Sequence, residues 1–193
     1  MPCVVAWFSF LRGVRHHEAM TPMPFMTVGA RLAQPDDVSD IERLYVGLAA
    51  EQRAIRSIWP YSEGLPEPVS TSLNTLVERP DGIVVVGLID GVPLGFLVGF
   101  EQPLLAPMAD RNIGVVQLIF TDHEARGVGV GAAMLHMTMR EFRSRGIDLF
   151  DARVSPGHRL AKNFFESNGF KARSITMHCS ESEVGPSATE NRA

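Results

Sequence analysis

Val115-Val116-Gln117-Leu118-Ile119-Phe120, followed closely by Arg126-Gly127-Val128-Gly129-Val130-Gly131, is the stretch on which the fold turns. The apolar run reads as a strand, and the glycine run opens a helix that begins near Val128. Glycines spaced by single residues let main chain approach a bulky polyanion with no Cβ in the way. The helix they start adds free N–H groups and the positive end of its dipole. The expected ligand carries a phosphate or pyrophosphate.

On the N-terminal side of this stretch, residues 27–33 read as a short strand. Pro35-Asp36-Asp37 then starts a helix with Val38, Ile41, Leu44 or Tyr45, and Leu48 on one face, continuing towards Ile58. Trp59-Pro60 stops it, a Gly/Pro-rich loop runs to Pro68, and residues 69–79 form another short helix. Two β-rich runs, 83–89 and 92–100, meet at Asp90-Gly91, a strong hairpin signal. On the C-terminal side, the helix after the glycines carries Gly131, Leu135, Thr138 and Phe142 on one stripe, with Met134 and Met137 also read as core. Gly146 stops it. Residues 147–154 read as a strand, 158–167 as a helix, and 170–178 as a last strand. An antiparallel meander followed by a strand–helix–strand unit makes an α/β protein with a mixed, mostly antiparallel sheet.

Three other readings of the glycines compete. Gly127, Gly129 and Ala132 satisfy a dinucleotide fingerprint, with Asp148 at about the spacing of a ribose ligand. That fold needs further β-α units after the loop, and the chain leaves no room for them. A P-loop is a weaker reading still, because no Gly-Lys-Ser/Thr follows. Glycines serving only strand–helix packing would not need an arginine before them and a helix start after them.

Composition narrows the function. A chain of 193 residues with 45% apolar content suits one domain with a substantial core. A net charge of −4 with no Lys/Arg block argues against nucleic acid or anionic membrane as partners. Cys3 and Cys179 form neither a disulfide framework nor a metal pair, which suits a reducing cytoplasm. His16, His17, His136 and His178 show no metal spacing with a third ligand, so no metal is expected. Residues 1–26 read as a flexible extension: their apolar run precedes Arg12 and Arg15, the reverse of a secretory signal. Residues 27–179 form the domain, and the polar residues 180–193 form a disordered tail.

The residues quoted resemble the Gcn5-related N-acetyltransferase superfamily. Arg126, Gly129 and Gly131 match its Gln/Arg-x-x-Gly-x-Gly/Ala loop. Ala161-Lys162-Asn163-Phe164-Phe165-Glu166-Ser167-Asn168-Gly169-Phe170 is similar to its helix-to-strand signature. The resemblance implies a central sheet with helices on both faces and an acetyl-CoA co-substrate. The main-chain N–H of Ile119 would meet the acetyl carbonyl, main-chain groups of Phe120 and Thr121 the pantetheine arm. The N–H groups of Arg126, Gly127, Val128, Gly129, Val130 and Gly131 would meet the pyrophosphate. His158 stands where the family often has a cofactor-holding asparagine, and is a candidate for proton transfer.

Gln117 stands about where many members carry a glutamate base, and it can orient a water or the acceptor but not titrate. Phe165 takes the place of the usual tyrosine acid. His123 reads as a solvated loop residue. Arg53, Arg56, Trp59 and Tyr61 are the candidates for the acceptor side. The implied activity is acetyl transfer to a small-molecule primary amine by direct attack in a ternary complex, with a homodimer compatible. An acyl-CoA sensor with little catalysis is the alternative that Gln117 and Phe165 keep open.

Overall fold

A computed structural model describes residues 26–55, 64–105, 107–108 and 110–177. β1 (Val28–Leu32) leads through a 3-10 turn at Pro35–Asp37 into α1 (Val38–Ala54). α2 (Val69–Glu78), β2 (Gly82–Ile89), β3 (Val92–Pro103) and β4 (Asn112–Thr121) follow. The chain then forms α3 (Val130–Ser144), β5 (Phe150–Ala152) and α4 (Arg159–Ser167). The strands make one sheet in sequence order. All neighbours are antiparallel except β4 and β5, which are parallel across the α3 crossover.

Period-two alternation with apolar residues on both faces explains why β2 reads as a continuous hydrophobic run. Val84 and Val86 face α1 and α2, meeting Ile41, Leu44, Leu48 and Leu73. Ile83 and Val85 face α3, meeting Met134, Leu135 and Phe142. The sheet is thus clad by helices on both sides, as expected. Each such side chain, fully buried, contributes on the order of 1.5–3 kcal/mol. The hairpin at Asp90-Gly91 turns with φ of 49° and 82°, the left-handed pair that Asp-Gly supplies most readily.

The entry to α1 is pinned electrostatically. Arg31 donates two hydrogen bonds to Asp37, at 2.6 and 2.8 Å, and Asp37 also accepts from the Gln34 N–H at 2.7 Å. Asp37 is buried, and such a carboxylate is tolerated there because it is paired.

Two expected strands are corrected. β5 spans Phe150–Ala152 rather than 147–154, because its ladder partners run only from Gly114 to Val116, where the β4 register breaks at Gln117. Ile147 instead packs beneath α3. Residues 170–177 form no strand. Phe170 docks on Phe165 with ring centroids 5.3 Å apart, but Ile175 and Met177 are exposed, and the segment is tied to β5 by the Arg173–Asp151 ion pair instead of a ladder. The helix after the glycines starts at Val130, later than Val128. The expectations for residues 1–25 and 178–193 lie outside the described residues. Among the described residues no helix is long and apolar enough to cross a membrane.

Candidate active site

A phase change in β4 creates the site. The Gly114 N–H donates to Leu149 O at 2.9 Å, and the Arg153 N–H donates to Val116 O at 3.0 Å. Main-chain groups of the even-numbered residues therefore face β5 in this half of the strand. At the other end the Asp122 N–H donates to Leu94 O at 2.8 Å, so an even-numbered residue faces β3 there. The register explains the reversal. Val98 pairs with Leu118 and Gly99 with Val116, leaving Gln117 as an extra residue, a β-bulge. Past the bulge, strand alternation turns the peptide groups of Ile119 and Thr121 towards the β5 side. β5 has already ended at Ala152. A gap bordered by oriented main-chain groups is the result.

The glycine loop closes one end of that gap. Gly127 and Gly129 have φ of 80° and 104°, a region that L side chains rarely adopt. A Cβ at either would meet nothing within 4 Å, so conformation demands these glycines and open space lies before them. Gly131 differs: a Cβ there would lie 3.2 Å from the Phe164 ring, so it allows α3 and α4 to approach. Gly129 caps α3, and the first intrahelical bond runs from the Ala133 N–H to Gly129 O at 2.9 Å. The N–H groups of the first turn, from Val130 to Ala132, have no acceptor within the helix, an anion-binding arrangement.

A cavity of about 300 Å³ joins these parts. Ile119, Phe120, Thr121, Arg126, Gly127, Gly129, Val130, Gly131 and His158 all line it, with Glu51, Ala125, Leu160, Ala161 and Phe164. Val128 does not; it is exposed. Phe164 is the α4 aromatic in the cavity, whereas Phe165 is buried in the core beneath it. Gln117 lines a separate cavity of about 430 Å³ with Leu65, Leu76, Arg79, Phe100, Glu101 and others. Arg53 is exposed on the last turn of α1; Arg56, Trp59 and Tyr61 lie outside the described residues.

Charged groups gather on one wall. Glu51, from the end of α1, accepts from Arg126 at 2.5 Å and lies 3.0 Å from His123 Nε2, both through Oε1. Its Oε2 lies 3.9 Å from His158 Nε2. The Gln52 amide lies 3.5 Å from His158 Nδ1. Burial pushes the His158 imidazole below its ordinary 6.5; Glu51 opposes this and Arg126 adds to it.

Sequence reasoning did not single out Glu51 or Gln52. Gln52 had a signal, since it continues the Val38, Ile41, Leu44, Leu48 stripe as a buried polar residue. His123 is exposed as expected, yet it joins the cluster through Glu51.

Comparison with known proteins follows the same lines. A family model described as "Acetyltransferase (GNAT) family" matches residues 35–170. The chain is 24% identical over 141 residues to an uncharacterized N-acetyltransferase of Archaeoglobus fulgidus, covering 73% of this chain and 91% of that protein. A mycothiol acetyltransferase of Thermobispora bispora is 37% identical over 79 residues, 39% of this chain and 27% of that one. Among solved structures, an aminoglycoside N-acetyltransferase in complex with CoA superposes with a TM-score of 0.61 at 14% identity, covering 81% of this chain and 94% of that chain.

Proposed function

Because this chain belongs to the acetyltransferase (GNAT) family and is an acyltransferase, we propose that it moves an acetyl group from acetyl-CoA to a primary amine of a small molecule, by direct attack within a ternary complex. The observation that carries the reading is the phase change at Gln117, which turns the Ile119 peptide into the gap beyond β5. A thioester carbonyl gains negative charge as an amine attacks it, and a preorganised N–H stabilises that charge. In this reading Ile119 donates to the carbonyl, and Phe120 and Thr121 run beside the pantetheine arm. The amides of Gly127, Gly129, Val130 and Gly131 hold the diphosphate, for which the left-handed glycines and the empty space before them are suited, while the Arg126 N–H is already bonded to His123 O.

A small acceptor is supported by the relatives named for mycothiol and aminoglycoside acetylation. Of the acceptor-side candidates, Arg53 is exposed on the last turn of α1. Gln117 has no proton to exchange and serves at most to orient the acceptor from the neighbouring cavity.

Two measurements test this. Saturating acetyl-CoA raises Tm by linkage, while NAD and ATP do not. Free CoA is then released in the presence of members of an amine panel. Binding without acceptor-dependent release would leave a sensor in place of a transferase.

A further inference from the structure

Amide formation must move a proton from the amine and return one to the departing thiolate. Gln117 and Phe165 titrate at no ordinary pH. Among the described residues, the acids and bases lining the glycine-loop cavity are Glu51, Arg126 and His158. The Arg126 guanidinium offers donors and no acceptor. Glu51 has its Oε1 engaged by Arg126 and His123. His158 stands apart from that engagement: its side chain is 15% exposed, its ring borders the cavity, and its Nε2 faces Glu51 Oε2 across 3.9 Å.

From this geometry we propose that His158 is the catalytic proton carrier of the transfer, with Glu51 and Gln52 as its positioning residues. The inference rests on the acetyl-transfer reading above. The amine nitrogen forms a bond to the thioester carbon and its proton passes to the unprotonated nitrogen of the His158 ring. The C–S bond breaks with its electron pair going to sulfur, and the imidazolium returns the proton to the thiolate. Amide and free thiol result, with His158 restored, so one ring serves as base and then acid.

Each neighbour has a part. The Gln52 amide nitrogen, 3.5 Å from Nδ1, holds the plane of the ring. Oε2 of Glu51 supplies the negative charge that a transient imidazolium needs. The charged groups facing the ring are Glu51 from α1 and Arg126 from the glycine loop, with His123 reaching them through Glu51. Burial keeps the resting ring neutral at pH 7, ready to accept. His158 also caps α4 without a side-chain capping bond, so its replacement removes no helix cap.

The test is His158→Gln, with Tm confirming the fold. Calorimetry is expected to show a Kd for acetyl-CoA raised at most a few-fold, with kcat down about 100-fold or more, the scale of lost acid–base catalysis. The loss of kcat/KM below pH 6.5 that His158 causes disappears, while the rise at higher pH set by the amine losing its own proton remains. His158→Ala regains turnover with added imidazole. A raised Kd with kcat intact, or the same loss of kcat/KM below pH 6.5, would overturn the assignment. Failure of the transfer reading looks different: the unaltered protein would release no CoA with any amine.

Discussion

Arg126 ties three elements together through Glu51: its terminal nitrogen donates to Glu51 Oε1 at 2.5 Å while its Nε donates to Thr121 O at 2.9 Å. The guanidinium also lies over the Phe120 ring, 5.4 Å from its centroid. The last turn of α1, the end of β4 and the glycine loop are therefore held by one planar group. A lysine ammonium cannot make both bonds in that fork. Arg126→Lys is expected to weaken acetyl-CoA binding about tenfold and to cost about 1–2 kcal/mol. Calorimetry and a fall in Tm of about 2–8 °C check it.

Gly129 needs its left-handed φ of 104° to turn the loop into α3. Gly129→Ala places a Cβ in open space, so any loss is conformational, about 1–2 kcal/mol for a residue forced into that region. Acetyl-CoA affinity should drop with it, by about tenfold, as the amides of the α3 N-terminus are displaced. An alanine variant with native Kd and Tm would refute the role given to this backbone turn.

Gly114 makes the floor on which Phe142 rests. A Cβ there would sit 2.5 Å from Phe142 Cδ2, and the Phe142 ring is fully buried. Gly114→Ala overpacks this contact and costs about 1–3 kcal/mol. Adding Phe142→Leu makes room, so the double variant should melt above the sum of the two single losses.

Asp37 couples stability to acid. Its hydrogen bonds from Arg31 hold the carboxyl below the usual carboxylate range against the opposing effect of burial, and the Gln34 N–H assists. A depressed carboxylate means the unfolded chain binds the proton more readily. Its stabilisation is therefore complete above the unfolded value of about 3.9 and is lost as pH falls through the lower folded value. Asp37→Asn should lower Tm at pH 7 and flatten the loss of Tm below about pH 4. Melting curves from pH 7 to pH 2.5 read both.

The order of elements was legible because each signal is local. Asp90-Gly91 turns by its own preference, the α1 stripe repeats at helical spacing, and glycines flag positive φ whatever surrounds them. The failures have local causes as well. Residues 147–154 and 170–178 alternate like strands, but alternation cannot tell whether a neighbouring edge is available to pair with. At Phe164 and Phe165, adjacent identical side chains on one helix point to different surroundings, and only the packing of α4 against α3 selects which meets the cavity.

By itself, the chain determined the succession of helices and strands and the glycine turn into α3, since backbone preference and hydrophobic spacing act over a few residues. Tertiary structure alone decided which peptide groups face the gap, because a single extra residue at Gln117 is invisible until β3 sets the register. It alone also brought Glu51, Arg126 and His158 together, from the end of one helix, a loop and the start of another. Groups so distant along the chain meet only because burying the two faces of the sheet fixes where each helix ends.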